Sequence, residues 1–165
     1  MSITTAASDS QSALAATPRV DPRGMRFAAA LTAVVLAAVL VTESWVLLAV
    51  QAVVFAIGAF SGVRRSPYAV VFAKVVRPRL GPPRETEDAR PPRFAQGVGF
   101  GFAVVGLLGF VIGSTPLALT ATAFALAAAF LNAVFGLCLG CEFYLIAKRN
   151  FPAQSRGNNT PEVSA

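Results

Sequence analysis

The chain has 165 residues, of which 55% are apolar and 13% are charged. Soluble domains carry about 25% charged residues, so this composition argues against a soluble globular protein. The net charge of +6 would suggest nucleic-acid binding on a soluble domain. Here, however, the apolar residues come in long blocks, which predicts a membrane protein surrounded by the lipid bilayer and no nucleic-acid partner.

The first half of the chain predicts a pair of membrane spans. Residues 1–20 are rich in Ser, Thr and Ala and are predicted to be a disordered tail. Asp21 and Pro22 are suited to the N-cap and first position of a helix, which predicts a span over about residues 22–42. A signal peptide is the alternative, and the long polar lead-in and the span that follows disfavour it. The second span is predicted over about residues 45–62, and the short polar break between the two makes them an antiparallel hairpin.

The middle segment, residues 64–93, has a different character. After Ser66 and Pro67, apolar residues recur near helical spacing with basic residues between them. This pattern predicts a short amphipathic helix lying on the lipid headgroups, too charged to span the bilayer. The Pro-rich and charged stretch that follows, residues 80–92, is predicted to be a flexible connector, with a docking site as the alternative.

The second half predicts another hairpin, with spans over about residues 94–112 and 116–141 and a disordered tail over residues 150–165. Glycines at 97, 99 and 101 superficially resemble a dinucleotide-binding fingerprint, but their spacing and the lipid-type sequence after them exclude it. The predicted fold is therefore all-α, with four transmembrane helices as two antiparallel hairpins plus a short interfacial amphipathic helix, all within residues 21–149.

The distribution of charge predicts the orientation in the membrane. All 14 Lys and Arg residues lie in the N-terminal segment, the middle segment or the C-terminal tail, and the two short turns carry only Glu43. By the positive-inside rule, both termini and the middle segment are expected in the cytoplasm. The predicted location is the inner (cytoplasmic) membrane, and the sequence gives no oligomeric state.

The candidate catalytic residues are Cys138 and Cys141, the two cysteines of the chain. On a helix, an i, i+3 pair shares one face with α-carbons about 5–6 Å apart, close enough for a disulfide. At the cytoplasmic edge of the membrane, the pair is expected to rest as two thiols. Three interpretations stay open: packing of small residues, a dithiol that exchanges electrons or sulfur with a partner, and a copper(I) or zinc site. The metal site would need ligands from elsewhere, since the chain has no histidine.

The predicted environment does not favour reactive thiols. A helix that continues through Cys141 places both cysteines at its C-terminal end beside Glu142, where the dipole and the carboxylate raise a thiol pKa. Nearby basic residues, or a helix break at Gly136 and Gly140, would offset this effect. Cys141, nearer the water, is expected to be the attacking thiol. Asn132, inside the fourth span, is expected to make a structural hydrogen bond across helices.

Several short motifs resemble those of the domain-of-unknown-function 4395 family of small bacterial membrane proteins, over about residues 20–148. They are Asp21-Pro22-Arg23, Ser66-Pro67, Arg93-Phe94-Ala95 and Cys138-Leu139-Gly140-Cys141 with Tyr144 nearby. Family members look like four-helix proteins often encoded near thioredoxin-like proteins and rhodanese-type sulfurtransferases. The resemblance therefore implies thiol redox or sulfur relay through the two cysteines with such a partner. No cofactor is expected. The rival hypothesis is a non-catalytic membrane scaffold or transporter subunit in which the cysteines only pack.

Overall fold

The structure, a computed structural model, describes residues 19–83 and 86–150. Within these residues, six helices and one pair of two-residue strands make up the regular structure. The predicted tails lie mostly outside this part of the chain, at residues 1–18 and 151–165. Arg19 and Val20, assigned to the N-terminal tail by the sequence, form strand β1 (Arg19–Val20), which pairs antiparallel with β2 (Glu87–Asp88). This pairing holds the predicted connector, residues 80–92, next to the start of the first helix.

The first two helices begin at caps that the sequence provides. Helix α1 (Pro22–Thr42) starts after Asp21, whose carboxylate accepts a hydrogen bond from the backbone N–H of Arg23 at 2.9 Å. It ends at Glu43, which has a left-handed backbone (φ 50°) and an exposed side chain. Ser44 then caps helix α2 (Trp45–Ser61), whose last turn, Ile57–Ser61, is π-helical. The predicted helical starts are thus confirmed in this hairpin.

Helix α3 follows a short 3-10 turn (Val63–Arg65) and covers residues 67–80. It is α-helical at both ends and π-helical over Phe72–Val76. Phe72 is buried against α1, with its ring 5.7 Å from that of Phe27 and in close contact with Gly24. One apolar face of this amphipathic helix therefore packs on protein, while Val70, Val71 and Val75 are exposed.

Helices α4 (Arg90–Val111) and α5 (Thr115–Phe135) form the second hairpin. Helix α4 begins four residues before the predicted start at residue 94, since Pro91 and Pro92 occupy its first turn, where no backbone N–H is needed. The helices cross closely at Gly109, where an added Cβ would lie 2.6 Å from the backbone nitrogen of Ala118.

The four long helices close into one bundle. Helix α1 packs on α2 and α5, and α4 packs on the same two helices, around a core centred on Leu36, Leu48 and Phe55. Helices α1, α4 and α5 are long and apolar enough to cross a membrane, and α2 is a shorter apolar helix. Their outward faces are rich in exposed Val, Leu and Phe, as expected for helices surrounded by lipid. The protein is thus built as a multi-pass membrane protein.

The predicted fourth span is wrong at its C-terminal end. Helix α5 ends at Phe135, because Gly136 takes a left-handed conformation (φ 71°) and donates its N–H to the Asn132 carbonyl at 3.1 Å. The chain then begins a separate helix, α6 (Leu139–Asn150). The two cysteines therefore lie at the start of a new helix and not at the end of a membrane span.

Candidate thiol site

Helix α6 turns back from the end of α5 and lies on the start of α4. Its contact residue is Gly140, where an added Cβ would lie 2.6 Å from the Cα of Ala95. One turn further along, the Tyr144 ring meets the Phe94 ring at 5.8 Å. The close approach at Gly140, which only glycine permits, fixes the first turn of α6 and with it the position of both cysteines.

Cys138 occupies the N-cap position of α6. Its carbonyl accepts the first helical hydrogen bond, from the N–H of Glu142 at 3.0 Å. Hydrogen bonding to the Cys141 thiol lowers the pKa of Cys138 to about 7, and the backbone N–H groups of Gly140 and Cys141 act in the same direction. Partial burial and the Glu87 carboxylate oppose this shift without cancelling it. A thiol at a helix N-terminus is the arrangement that favours a reactive thiolate.

Cys141 has the opposite character. Its pKa is raised, first because its thiol hydrogen-bonds the Cys138 sulfur and then because the thiol is partly buried. Negative charge on Cys138, Glu87 and Glu142 raises it further. Near pH 7, about half of the molecules therefore carry a thiolate on Cys138, while Cys141 stays a thiol. These pKa directions favour Cys138 as the attacking thiol, whereas the sequence led us to expect Cys141. Glu87, which acts on both cysteines from β2, was missed because it lies in the stretch predicted to be a connector.

The pH dependence of alkylation tests this division of roles. The thiolate fraction rises with pH, so the rate of reaction with iodoacetamide should rise with a midpoint near pH 7. Cys141→Ala removes the hydrogen-bond donor, and the midpoint should move up toward the ordinary thiol pKa of about 8.5. Cys141→Ser keeps a hydroxyl donor at the same place, so its midpoint should stay closer to that of the wild type. Mass spectrometry of quenched samples measures the rates, and equal midpoints for the two variants would contradict the assignment.

Arginines at the same end of the bundle close the C-terminal ends of helices. Arg26 donates to the carbonyls of Ala133 and Val134 at the end of α5, the latter at 3.0 Å. Arg93 donates to the carbonyls of Ala59 and Phe60 at the end of α2, at 2.6 and 2.9 Å. Carbonyls in the last turn of a helix generally lack an intrahelical partner, and the arginines supply one here. The sequence predicted these side chains only as topology signals.

Removing the Arg26 cap should loosen the end of α5 that leads into the thiol site. We expect Arg26→Ala to lower the free energy of unfolding by about 1 kcal/mol, the usual net value of such hydrogen bonds. Thermal unfolding in detergent measures this change, with Arg65→Ala as the control because Arg65 is an exposed arginine near the same end. Equal losses in the two variants would show that charge, and not capping, is responsible.

A cavity of about 710 Å³ lies beside the cysteines and extends into the bundle. Cys138 is part of its wall, and Cys141 lies outside that wall. The cavity reaches Thr32, which lies about 15 Å along α1 from Pro22 at 1.5 Å per residue. Its walls are mainly apolar, with aromatic rings contributed by Phe55, Phe72, Phe102, Phe124 and Phe143. The thiolate position is thus in contact with the apolar interior of the bundle.

The comparison with protein families decides which group the chain belongs to. The family model described as Domain of unknown function (DUF4395) matches residues 20–149. The chain belongs to the DUF4395 family. No curated protein and no solved structure matches it. The match covers both hairpins, the arginine caps and the cysteine pair, so the resemblance expected from the sequence is confirmed.

Two polar residues inside this DUF4395 bundle have different surroundings. Among the described residues, the hydrogen bonds between two side chains are those of Gln51, which donates to Thr32 at 3.5 Å and accepts from Tyr68 at 2.8 Å. Gln51 is fully buried, and its hydrogen bonds join helices α1, α2 and α3. A polar residue inside an apolar run of the sequence is a signal that could have indicated this role. Asn132, for which an interhelical hydrogen bond was expected, instead lines the cavity with Cys138.

The remaining interpretation is a metal centre, and the described part of this DUF4395 chain contains no set of ligands for one. In residues 19–83 and 86–150, no three His, Cys, Asp or Glu side chains form a group that could hold a metal ion. The site that these residues do assemble is a dithiol at a helix N-terminus, with Cys138 in the wall of a cavity.

Proposed function

We propose that the protein is a four-span membrane protein whose Cys138 and Cys141 exchange disulfides with a soluble thiol partner in the cytoplasm. The observation that carries the proposal is the position of the pair at the N-terminus of α6. There Cys138 accepts hydrogen bonds that favour its thiolate, and Cys141 stays protonated within reach. Two cysteines that only pack would not require this difference in pKa between their thiols.

The charge distribution supports the orientation. One end of the bundle contains both arginine caps. The same end contains the starts of α1 and α4 and the ends of α2 and α5. Four crossings bring both termini to this end, which carries the basic residues expected on the cytoplasmic side. Helix α2, at 17 residues, is about 26 Å long, just short of a hydrocarbon core of about 30 Å.

The exchange would proceed in two steps. The Cys138 thiolate attacks one sulfur of a partner disulfide, so that a mixed disulfide forms and the partner's other sulfur leaves as a thiolate. Cys141 then loses its proton to that thiolate and attacks the Cys138 sulfur, releasing the partner as a dithiol and leaving a Cys138–Cys141 disulfide. The same steps in reverse oxidise the partner. A sulfurtransferase would instead pass a persulfide sulfur to the Cys138 thiolate.

A trapping experiment tests the roles. With Cys141→Ser, the mixed disulfide on Cys138 cannot be resolved, so a partner should accumulate as a band that reductant removes. Cys138→Ser should accumulate less, because partial burial and the Glu87 and Glu142 carboxylates still raise the pKa of Cys141 after the Cys138 sulfur is removed. The double Cys→Ser variant is the control for non-specific bands. A thioredoxin-like protein or a sulfurtransferase is the expected partner, and the absence of any trapped partner in cells would favour the scaffold hypothesis.

Labelling from each side of the membrane tests the orientation. A membrane-impermeant maleimide should modify Cys138 in inside-out vesicles at neutral pH and leave it unmodified in right-side-out vesicles. The Cys138→Ser variant shows how much of the signal belongs to Cys141. Labelling only from the outside would overturn the proposed topology, since all the basic segments would then face the wrong side.

A further inference from the structure

The cavity beside Cys138 has the size and lining of a small-molecule site. At about 710 Å³ it lies within the range of a few hundred to about 1,000 Å³ that such sites occupy. Most of its wall is apolar, and it reaches into the part of the bundle that carries the candidate membrane spans. A ligand drawn from the lipid phase therefore fits it better than a water-soluble metabolite.

The polar groups in the wall include two side-chain amides, and further ones are Asp21, Thr32, Ser66 and Thr86. Asn132 is one turn before the Gly136 break, and Gln96 is one residue after Ala95, which contacts α6. Amide N–H groups can donate to the carbonyl oxygens of a ligand. Basic side chains also line the cavity, namely Arg19, Arg64 and Arg77. Their positive charge would stabilise negative charge that develops on a ligand oxygen.

The thiol chemistry defines what the ligand must do. Each disulfide exchange with a soluble partner oxidises or reduces the Cys138–Cys141 pair by two electrons. Repeated turnover therefore needs a second reactant that returns the pair to its starting state by a two-electron step. Cys138 faces the apolar cavity as well as the helix start, whereas Cys141 lies outside the cavity wall. A planar ring with two carbonyl oxygens and an apolar tail meets the size, polarity and electron requirements together.

We propose that the cavity binds a lipophilic quinone that exchanges an electron pair with Cys138 and Cys141. This proposal rests on the thiol-exchange function and names its membrane-side substrate. In the oxidising direction, the Cys138 thiolate adds to a ring carbon of the quinone and forms a sulfur–carbon bond. Cys141 loses its proton and attacks the Cys138 sulfur, that bond breaks, and its electron pair stays on the ring. One proton from Cys141 and one from water end on the ring oxygens, giving a disulfide and a hydroquinone.

Quinone reduction by the purified full-length protein tests the proposal. The protein is reduced with dithiothreitol, freed of excess reductant, and mixed in detergent with decylubiquinone. We expect one decylubiquinone to be reduced for each pair of thiols lost, followed by quinone absorbance and thiol titration. The double Cys138→Ser and Cys141→Ser variant should reduce none.

Neighbouring alanines on α5 provide a matched pair of variants. Ala128 lines the cavity, and Ala127 is exposed and lies outside its wall. Ala128→Phe should place a ring in the cavity and slow decylubiquinone reduction by about tenfold or more, whereas Ala127→Phe should leave it near the wild-type rate. Both variants should keep the alkylation midpoint of Cys138, which reports that the thiol site is intact.

The outcomes separate the two proposals. If the reduced protein reacts with a trapped partner but not with decylubiquinone, the quinone proposal is overturned and thiol exchange survives. Equal decylubiquinone rates in the two phenylalanine variants would also overturn it, because the reaction would then occur outside the cavity. Phospholipid that copurifies in the cavity and that decylubiquinone cannot displace would show a lipid site instead. Failure of both partner trapping and quinone reduction would reject the thiol function itself.

Discussion

Replacing Gly140 by alanine should abolish most of the thiol chemistry while leaving the bundle folded. The added Cβ would lie 2.6 Å from the Cα and from the Cβ of Ala95, so α6 cannot keep its present contact with α4. Since α6 has few contacts with α5, this one surface holds the start of α6 in place. A displacement of about 1 Å at a reacting group can cost about a hundredfold in rate, and we expect a loss of this order.

Two measurements distinguish this local effect from unfolding. The rate of mixed-disulfide formation in the Cys141→Ser background should fall, while the thermal unfolding of the bundle should change little, because Gly140 lies outside the core. Gly97→Ala is the matched control on α4, since an added Cβ there meets nothing within 4 Å. Equal exchange rates in the Gly140 and Gly97 variants would show that α6 does not need its contact with Ala95.

The sequence predicted well what depends on local signals. Asp21 and Pro22 define the start of α1 through one short hydrogen bond, and Ser44 does the same for α2. Such caps can be recognised because the interacting groups are two or three residues apart. The lengths of the apolar runs likewise predicted three helices that can cross a membrane, and the fourth predicted span is a shorter apolar helix.

The end of α5 could not be predicted in the same way. Leu137 and Leu139 continue the apolar run past Gly136, so hydropathy alone extends the helix through the cysteines. Glycine is common in membrane helices and does not by itself signal a left-handed cap. The error changed the chemistry, because a helix C-terminus raises the thiol pKa and a helix N-terminus lowers it.

The remaining features of the site depend on contacts distant in sequence. Arg26 caps carbonyls 107 and 108 residues away, and Glu87 acts on cysteines that lie more than fifty positions later. The cavity is lined by residues from every helix of the described chain. A single sequence shows where the charged and the small residues lie along the chain. Which of them contact one another depends on how the helices pack.

The stability of the bundle should depend most on the close crossing of α4 and α5. An added Cβ at Gly109 would lie 2.6 Å from the backbone nitrogen and 2.9 Å from the Cα of Ala118, and backbone atoms cannot move aside as a flexible side chain can. We therefore expect Gly109→Ala to lower the free energy of unfolding by about 1–3 kcal/mol, the usual cost of overpacking. Thermal unfolding in detergent, followed by circular dichroism, measures the change.

Gly101→Ala on the same helix is the matched control for this crossing. Its added Cβ would meet nothing within 4 Å, so the variant keeps the packing and gains the better helix propensity of alanine, up to about 1 kcal/mol. The two substitutions are chemically identical and should move the unfolding temperature in opposite directions. If Gly109→Ala were as stable as Gly101→Ala, helices α4 and α5 would not meet closely at Ala118. The cavity, whose wall includes α4 and α5, would then have a different shape.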